Sequence, residues 1–261
     1  MDPGLDEHQL VDGAVIERLI AEAGVTGHDT VLEIGAGCGN ITLALAEAVG
    51  RVVAVEKNGK FLPILEERTA PYGNVELIHG DALQIRLPPF TKLVSNLPYS
   101  ICEAVLNRLT RLDFERAALV VSSSFAGIVS AREGDPGFSR LSLVANAFYK
   151  VEKLWDVRPA AYYPPPRGPT SIITIASREV VDWGLDVLRG VLLRGRMKLK
   201  NALRESIVDS SREFGGPYTR REAGKLVESA GLGKALLEKR VARLSLRDLL
   251  LVRKSLKPSP S

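Results

Sequence analysis

The sequence predicts an α/β domain built on a mostly parallel sheet, followed by a small all-helical domain. Three observations carry that prediction. Short apolar runs of strand length alternate with segments of helical periodicity over the first two thirds of the 261-residue chain. One such run, Thr30–Ile34, leads straight into the glycine-rich turn Gly35-Ala36-Gly37-Cys38-Gly39 and then a helix. From about Val181 the pattern is helical only, and the charge reverses. Residues 1–180 hold 17 Lys+Arg against 22 Asp+Glu, whereas residues 181–261 hold 18 against 9. A basic helical part beside an acidic α/β part points to a polyanionic partner. The expected division is 1–178 for the α/β domain, 179–256 for the helical domain and 257–261 for a disordered tail.

Charged content of 25% and hydrophobic content of 45% are ordinary for a soluble globular protein. No apolar run reaches the ~18 residues needed to span a bilayer, and no signal-peptide core is present, so a cytoplasmic protein with no membrane partner is expected. Cys38 and Cys102 show no Cys-x-x-Cys spacing, and His8, His28 and His79 are scattered. Neither a metal site nor a disulfide framework is expected.

Taken in order, the first element is an amphipathic helix over 14–23, with Val15, Ile16, Leu19 and Ile20 at helical spacing and Gly24 at its end. Thr30–Ile34 reads as a buried parallel strand with Glu33 embedded in it. The glycines after it let the backbone approach a ligand, and the helix over 41–49 offers its N-terminus to polar groups. The dinucleotide fingerprint asks for a third glycine at position 40, where this chain has Asn. Arg51–Glu56 is the next strand. Glu56 falls 21 residues after Gly35, where a carboxylate can accept both hydrogen bonds of a ribose diol. A helix over 60–68 and a strand over 74–79 lead to Gly80-Asp81-Ala82. An Asp just past a strand's carboxyl end stands at the ligand-facing rim of such a sheet, where it can accept from an adenine amine.

Lys92–Asn96 is a strand that runs into Asn96-Leu97-Pro98-Tyr99, the most specific stretch of the chain. An adenine N6 amine is a poor nucleophile because its lone pair is delocalised into the ring. An Asn side-chain oxygen and the next backbone carbonyl can each accept one N6 hydrogen, which localises the lone pair on nitrogen. Pro98 removes a competing donor and stiffens the turn. Tyr99 offers a face on which a base can stack.

A fifth strand over 117–121, a helix over 141–148 and an antiparallel pair over 149–157 and 171–176 complete the sheet domain, with a breaker-rich loop at 132–137. Helices follow over 183–193, 196–209, 219–230 and 245–254. Within them Arg194, Arg196, Lys198, Lys200 and Arg204 are dense enough to contact several phosphates.

Glu33-Ile34-Gly35-Ala36-Gly37 resembles the S-adenosylmethionine loop of class I methyltransferases. Together with Glu56, Gly80-Asp81-Ala82 and Asn96-Leu97-Pro98-Tyr99, in that order, it resembles the motifs of the ribosomal RNA adenine N6,N6-dimethyltransferase family. Tyr162-Tyr163-Pro164-Pro165-Pro166-Arg167 and Ser171 are similar to the family's aromatic-proline segment and its serine, and 194–203 and 239–245 to its C-terminal helical motifs. The resemblance covers almost the whole chain. It implies a Rossmann-like class I sheet with a helical C-terminal domain, S-adenosylmethionine as methyl donor and no metal. The implied reaction is transfer to N6 of two adjacent adenosines near the 3′ end of small-subunit rRNA during ribosome biogenesis. A monomer acting on the rRNA of an immature small subunit is implied as well. By this resemblance His8, Leu10, Glu33, Gly35, Gly37, Glu56, Asp81, Ala82 and Asn96 form the donor pocket. Asn96, Leu97, Pro98 and Tyr99 meet the acceptor, and Tyr99 and Tyr162 sandwich the target adenine. Gln occurs only at positions 9 and 84 while Arg is plentiful, as in thermophiles, which suggests an archaeal or thermophilic member.

Three segments depart from the family pattern. Asp6-Glu7-His8-Gln9-Leu10 stands where the family has Gly-Gln-(His/Asn)-Phe-Leu, Ser122-Ser123-Ser124 replaces Gln-(Lys/Arg)-Glu, and Gly168-Pro169-Thr170 is one residue longer than usual. All three bear on RNA specificity and on the number of methyls transferred. Two other readings stay open: an N6-adenine methyltransferase for another RNA or DNA, and a ribosome-assembly factor whose binding outweighs its chemistry. An NAD-dependent dehydrogenase would leave Asn96-Leu97-Pro98-Tyr99 unexplained.

Overall fold

The computed structural model describes residues 8–177, 182–214 and 217–256, in two compact units. The first unit runs to Ala131 and resumes with Asp135–Gly137 and Tyr149–Ser177; the second takes Phe138–Phe148 and the C-terminal helices. Asp6 and Glu7, the expected boundary at 178/179 and the expected disordered tail at 257–261 lie outside the described residues.

In chain order the first unit has β1 (Gln9–Leu10), α1 (Gly13–Ala23), β2 (Thr30–Ile34), α2 (Asn40–Ala48), β3 (Arg51–Glu56), α3 (Leu62–Thr69), β4 (Val75–His79), β5 (Lys92–Asn96), α4 (Cys102–Leu109), β6 (Arg116–Ser122) and α5 (Ser123–Ser130). After α6 (Arg140–Phe148), which groups with the second unit, come β7 (Tyr149–Val157), β8 (Tyr162–Tyr163) and β9 (Thr170–Ser177). Among the described residues, seven strands make one sheet in the order β4-β3-β2-β5-β6-β9-β7. The strands from β4 to β6 pair in parallel; β9 pairs antiparallel with β6, and β7 with β9. Val31, Leu32, Val52, Val53, Leu93, Val94, Ala118 and Val120 are fully buried, because helices cover both faces of a parallel sheet. That double burial is why these strands read as unbroken apolar runs.

Asp12 caps α1 by accepting from the amides of Ala14 and Val15, and Gly24, in the left-handed region, ends it. Between those ends α1 buries Ile16, Leu19, Ile20 and Ala23, one face of a helix. From β2 the chain moves outward through β3 and β4, then returns to place β5 on the other side of β2. The carboxyl ends of β2 and β5 therefore flank a topological switch point, where open α/β sheets bind ligands.

In the second unit α6 joins α7 (Trp183–Leu193), α8 (Leu199–Phe214), α9 (Arg220–Ser229), α10 (Lys234–Leu237) and α11 (Leu246–Ser255). They close on a core that includes Leu143, Leu188, Val191, Leu203, Ile207, Leu249 and Val252. Asp182 caps α7, and the pairs Thr219/Glu222 and Ser245/Asp248 form capping boxes on α9 and α11. Hydrogen bonds from Leu199 N to the Lys239 carbonyl, Val241 N to Met197 and Ala242 N to Gly195 lay residues 195–199 against 239–242. This pairing uses the residues just before α8, so the helix starts at Leu199 rather than at the expected 196.

Candidate active site

The turn after β2 holds Gly35, Gly37 and Gly39 at φ of +77°, +56° and +87°. A Cβ on Gly35 would stand 3.4 Å from Pro98 Cδ, so the loop passes directly beside the turn that follows β5. A Cβ on Gly37 would overlap the Gln9 side-chain amide at 2.3 Å. Only glycine lets Gln9 close over the loop, where its Oε1 accepts from Cys38 N at 3.1 Å. Gly37 N donates to Glu56 Oε2 at 2.7 Å and Asn58 N to Oε1 at 2.6 Å. Each carboxylate oxygen keeps a further lone pair for a ligand hydroxyl.

The N-terminal segment is stitched across the same crevice. Asn96 Nδ2 donates to the His8 carbonyl at 2.8 Å, and Asn40 Nδ2 to the Leu10 carbonyl at 2.9 Å. His8 Nδ1 lies 2.9 Å from the Pro164 carbonyl, and its ring stacks on Tyr99 at 6.1 Å between centroids. A backbone carbonyl only accepts, so the first of these bonds fixes the Asn96 amide with Oδ1 as its remaining acceptor. Asn40, which departs from the dinucleotide fingerprint, has its structural reason in the bond to Leu10. Gln9 and Asn40 are site residues that sequence reasoning missed; neither bond has a local periodicity to announce it.

A cavity of about 470 Å³ opens here. Of the residues expected at the site, His8, Leu10, Glu33, Gly35, Glu56, Asp81, Ala82, Asn96, Leu97, Pro98 and Tyr99 all line it, joined by Gln9, Asn58 and Phe61. Gly37 contributes its N–H to Glu56 rather than a wall. Asp81 accepts from Leu83 N at 2.9 Å and Lys57 Nζ at 3.0 Å. These two bonds, the backbone one first, hold its carboxyl below the usual range. Glu33 is 1% exposed and accepts from Thr42 Oγ1 at 2.5 Å. Burial pushes its carboxyl up to about 8; the Thr42 hydroxyl opposes that shift, and the charge of Glu56 adds to it.

Tyr162 is not on the cavity, which corrects the expectation that it faces the target base. It is 4% exposed, packs in the core, and its hydroxyl bonds Thr170 Oγ1 at 2.6 Å; burial raises it to about 12. The cause is strand geometry. β8 pairs Leu10 with Tyr162 and Gln9 with Tyr163, so the pleat sends Tyr162 inward with the buried Leu10 and leaves Tyr163 66% exposed. The divergent serines form a hydroxyl network: Ser123 Oγ lies 2.7 Å from Ser171 Oγ, which donates to Asp156 Oδ1 at 2.6 Å.

In the helical unit, four of the five expected phosphate-binding cations already hold acids. Arg194 pairs with Asp209 and braces the Gly190 carbonyl at 2.8 Å. Lys198 and Lys200 share Glu238 at 2.7 and 2.5 Å, which draws that carboxyl down to about 2, and Arg204 pairs with Glu205 at 3.2 Å. Arg196 is exposed with no acidic partner among the described residues, and so are Arg240 and Arg243, carried on the segment that pairs with 195–199. Only the basic composition of 239–245 signalled those two in the sequence. Among the described residues no three His, Cys, Asp or Glu side chains converge as a metal site, and no helix is long and apolar enough to cross a membrane.

The sheet order, the glycine turn and the carboxylate at the end of β3 define a class I methyltransferase fold. The chain belongs to the ribosomal RNA adenine dimethylase family, whose sequence pattern matches residues 4–213. It is 37% identical over 205 residues to a probable ribosomal RNA small subunit methyltransferase A of Thermococcus onnurineus, covering 77% of this chain and 75% of that protein. A protein of the same description from Methanothermobacter thermautotrophicus is 33% identical over 248 residues, 94% of this chain and 87% of the relative. Among solved structures, a dimethyladenosine transferase from Plasmodium falciparum shares the fold with a TM-score of 0.63 at 23% identity, covering 93% of this chain and 95% of its own. The 23S rRNA methyltransferase ErmE does so with a TM-score of 0.63 at 23% identity, covering 95% and 98%.

Proposed function

We propose that this protein transfers methyl groups from S-adenosylmethionine to N6 of adenosines in small-subunit rRNA, at two adjacent positions near the 3′ end, during assembly of the subunit in the cytoplasm. One observation carries the reading: the Asn96 amide, held by the His8 carbonyl with Oδ1 left as its acceptor, lines the same cavity as Glu56 and Gly35 of the glycine turn. The residues fit the donor. Glu56 has acceptor capacity for a ribose diol, and Asp81 and Ala82 stand where the adenine end would lie. S-adenosylmethionine supplies a methyl group on a positively charged sulfur. Asn96 Oδ1 and the Leu97 carbonyl accept the two hydrogens of the acceptor amine, Pro98 keeps the turn rigid, and Tyr99 supports the base. Catalysis is then chiefly positioning, and no general base is needed before attack.

To reach the cavity the adenosine must be unstacked, which single-stranded segments permit most easily. In this reading the second aromatic is assigned to Tyr163, which is exposed and paired with Gln9 of β1 on the cavity wall, in place of the buried Tyr162. Arg196, Arg240 and Arg243 take phosphates directly. Lys198, Lys200 and Arg204, at 52%, 44% and 41% side-chain exposure, can exchange their acids for phosphate. Arg194 serves mainly as a brace between α7 and α8.

The test is methyl incorporation from labelled donor into deproteinised rRNA, small ribosomal subunits and DNA side by side. Label in rRNA adenosines and none in DNA is expected; equal labelling of DNA would overturn the substrate assignment. The network that Ser123 makes with Ser171, where Ser122-Ser123-Ser124 stands in place of the family's Gln-(Lys/Arg)-Glu, favours a second reading in which binding during assembly outweighs methylation. Rescue of subunit maturation by Asn96→Ala would support that reading.

A further inference from the structure

Two buried carboxyls share the wall of the cavity: Glu33 at 1% and Glu56 at 6% exposure. Glu56 is held by two backbone amides. Glu33, on β2, has a single hydrogen bond among the described residues, from the Thr42 hydroxyl on α2. No cation among the described residues acts on Glu33: burial, the Thr42 hydroxyl and the charge of Glu56 are what bear on it, and the polar groups of the neighbouring elements have other partners. From β5, Ser95 Oγ is spent on the Ile34 carbonyl at 2.5 Å, and Lys57, past the end of β3, is spent on Asp81 at 3.0 Å. Arg68, on α3, bonds the Cys38 carbonyl and Asn40 Oδ1, and His8 bonds Pro164 and stacks on Tyr99. A carboxylate buried with no cation beside another carboxylate is strongly disfavoured, so the empty cavity holds Glu33 as the neutral acid.

We propose that Glu33 matches the charge of the cavity to its ligand: it carries a proton while the cavity is empty and releases it when the positively charged donor enters. The inference rests on reading the cavity as the S-adenosylmethionine site. The donor carries a sulfonium, an ammonium and a carboxylate, hence one net positive charge; the demethylated product carries none. In the binding step the Glu33 O–H bond breaks, the proton passes to the buffer, and the carboxylate left behind neutralises the donor. Binding of the product releases less than binding of the donor. Glu33 thereby favours donor over product, a preference that helps turnover when product accumulates. The raised carboxyl, at about 8, gives the direction: donor affinity climbs with pH up to that value and flattens above it. Full linkage of one proton makes the climb about tenfold per pH unit.

The experiment is titration calorimetry of the whole protein at pH 7 with S-adenosylmethionine and, separately, with S-adenosylhomocysteine. Each is run in buffers of low and high ionisation enthalpy, so that the buffer-dependent heat counts protons. Between half a proton and one proton released per donor is expected on the order of this linkage, with fewer for the product, and Glu33→Gln should abolish the release. Thr42→Val, which removes the one hydroxyl stabilising the anion, should move the pH midpoint of donor affinity upward while keeping the release, a check that does not depend on Glu33→Gln folding. Donor binding with no buffer-dependent heat, or a release that survives Glu33→Gln, overturns the inference alone. No heat of donor binding at any pH overturns the reading of the cavity and this inference with it.

Discussion

Replacing Gly37 with alanine sets a methyl carbon 2.3 Å from the Gln9 amide and holds a residue with a side chain at φ +56°. The left-handed conformation costs about 1–2 kcal/mol outside glycine. Gln9 must also move, which breaks its 3.1 Å bond to Cys38 N, a further loss of about 1 kcal/mol. Together these disfavour the bound form of the turn by roughly 2–3 kcal/mol, or about 30- to 150-fold in donor affinity. The same peptide presents its N–H to Glu56, so the ribose end of the pocket is disturbed too. Gln9→Ala in the same chain removes the overlap but not the φ strain. The bond to Cys38 N is lost in either single variant, so the double variant should bind about as weakly as Gly37→Ala rather than about fivefold more weakly still, a coupling of about 1 kcal/mol that a double-mutant cycle reads directly. Calorimetry with S-adenosylhomocysteine on the wild type, both single variants and the double variant is the assay. Wild-type affinity in Gly37→Ala, or a double variant whose loss is the sum of the two single losses, would contradict this.

Other perturbations separate roles within the two units. Asn96→Ala should lose methylation by at least about a hundredfold while donor affinity changes only a fewfold, since the His8 brace is lost but the Glu56 and glycine contacts remain; near-normal turnover would remove the acceptor mechanism. Glu33 is raised in the fold from 4.5 to about 8, so the stability its protonated form contributes is full below the lower value and is lost as pH rises to the higher. Thermal unfolding should accordingly show the wild type losing stability relative to Glu33→Gln across that window, by at most about 5 kcal/mol; parallel curves would contradict it. Tyr162→Phe should cost about 1–2 kcal/mol through the lost Thr170 bond and leave kcat/KM alone, whereas Tyr163→Ala should lower kcat/KM without a stability loss. Arg243→Gln should flatten the salt dependence of RNA affinity by about 0.7–0.9 in log–log slope per lost phosphate contact, while Arg194→Gln, its brace to Gly190 and Asp209 broken, should mainly lower the unfolding temperature.

Much of the sheet was legible because its chemistry is local. Strands buried on both faces spell continuous apolar runs, and a strand that ends in Gly35-Ala36-Gly37 or in Asn96-Leu97-Pro98-Tyr99 announces its own turn. The closing antiparallel pair likewise lies within a residue of its expected bounds. What escaped depends on distant partners or weak local preference. The β1–β8 ladder is only two residues long, and it alone decides which of two adjacent tyrosines points inward. α5, written in serine, glycine and β-branched residues, has little helix propensity and owes its start to the Ser122 cap. Charge density showed the basic stretch at 194–204, but not that Glu238 would claim two of its lysines from beyond α10.

Mass spectrometry of nucleosides from small subunits incubated with the protein and S-adenosylmethionine decides whether this cavity methylates rRNA. N6,N6-dimethyladenosine is expected at two neighbouring rRNA positions with the wild type and is expected to be absent with Asn96→Ala. Unmodified adenosines after incubation with protein shown to bind the donor, or the same modification with Asn96→Ala, would contradict that role.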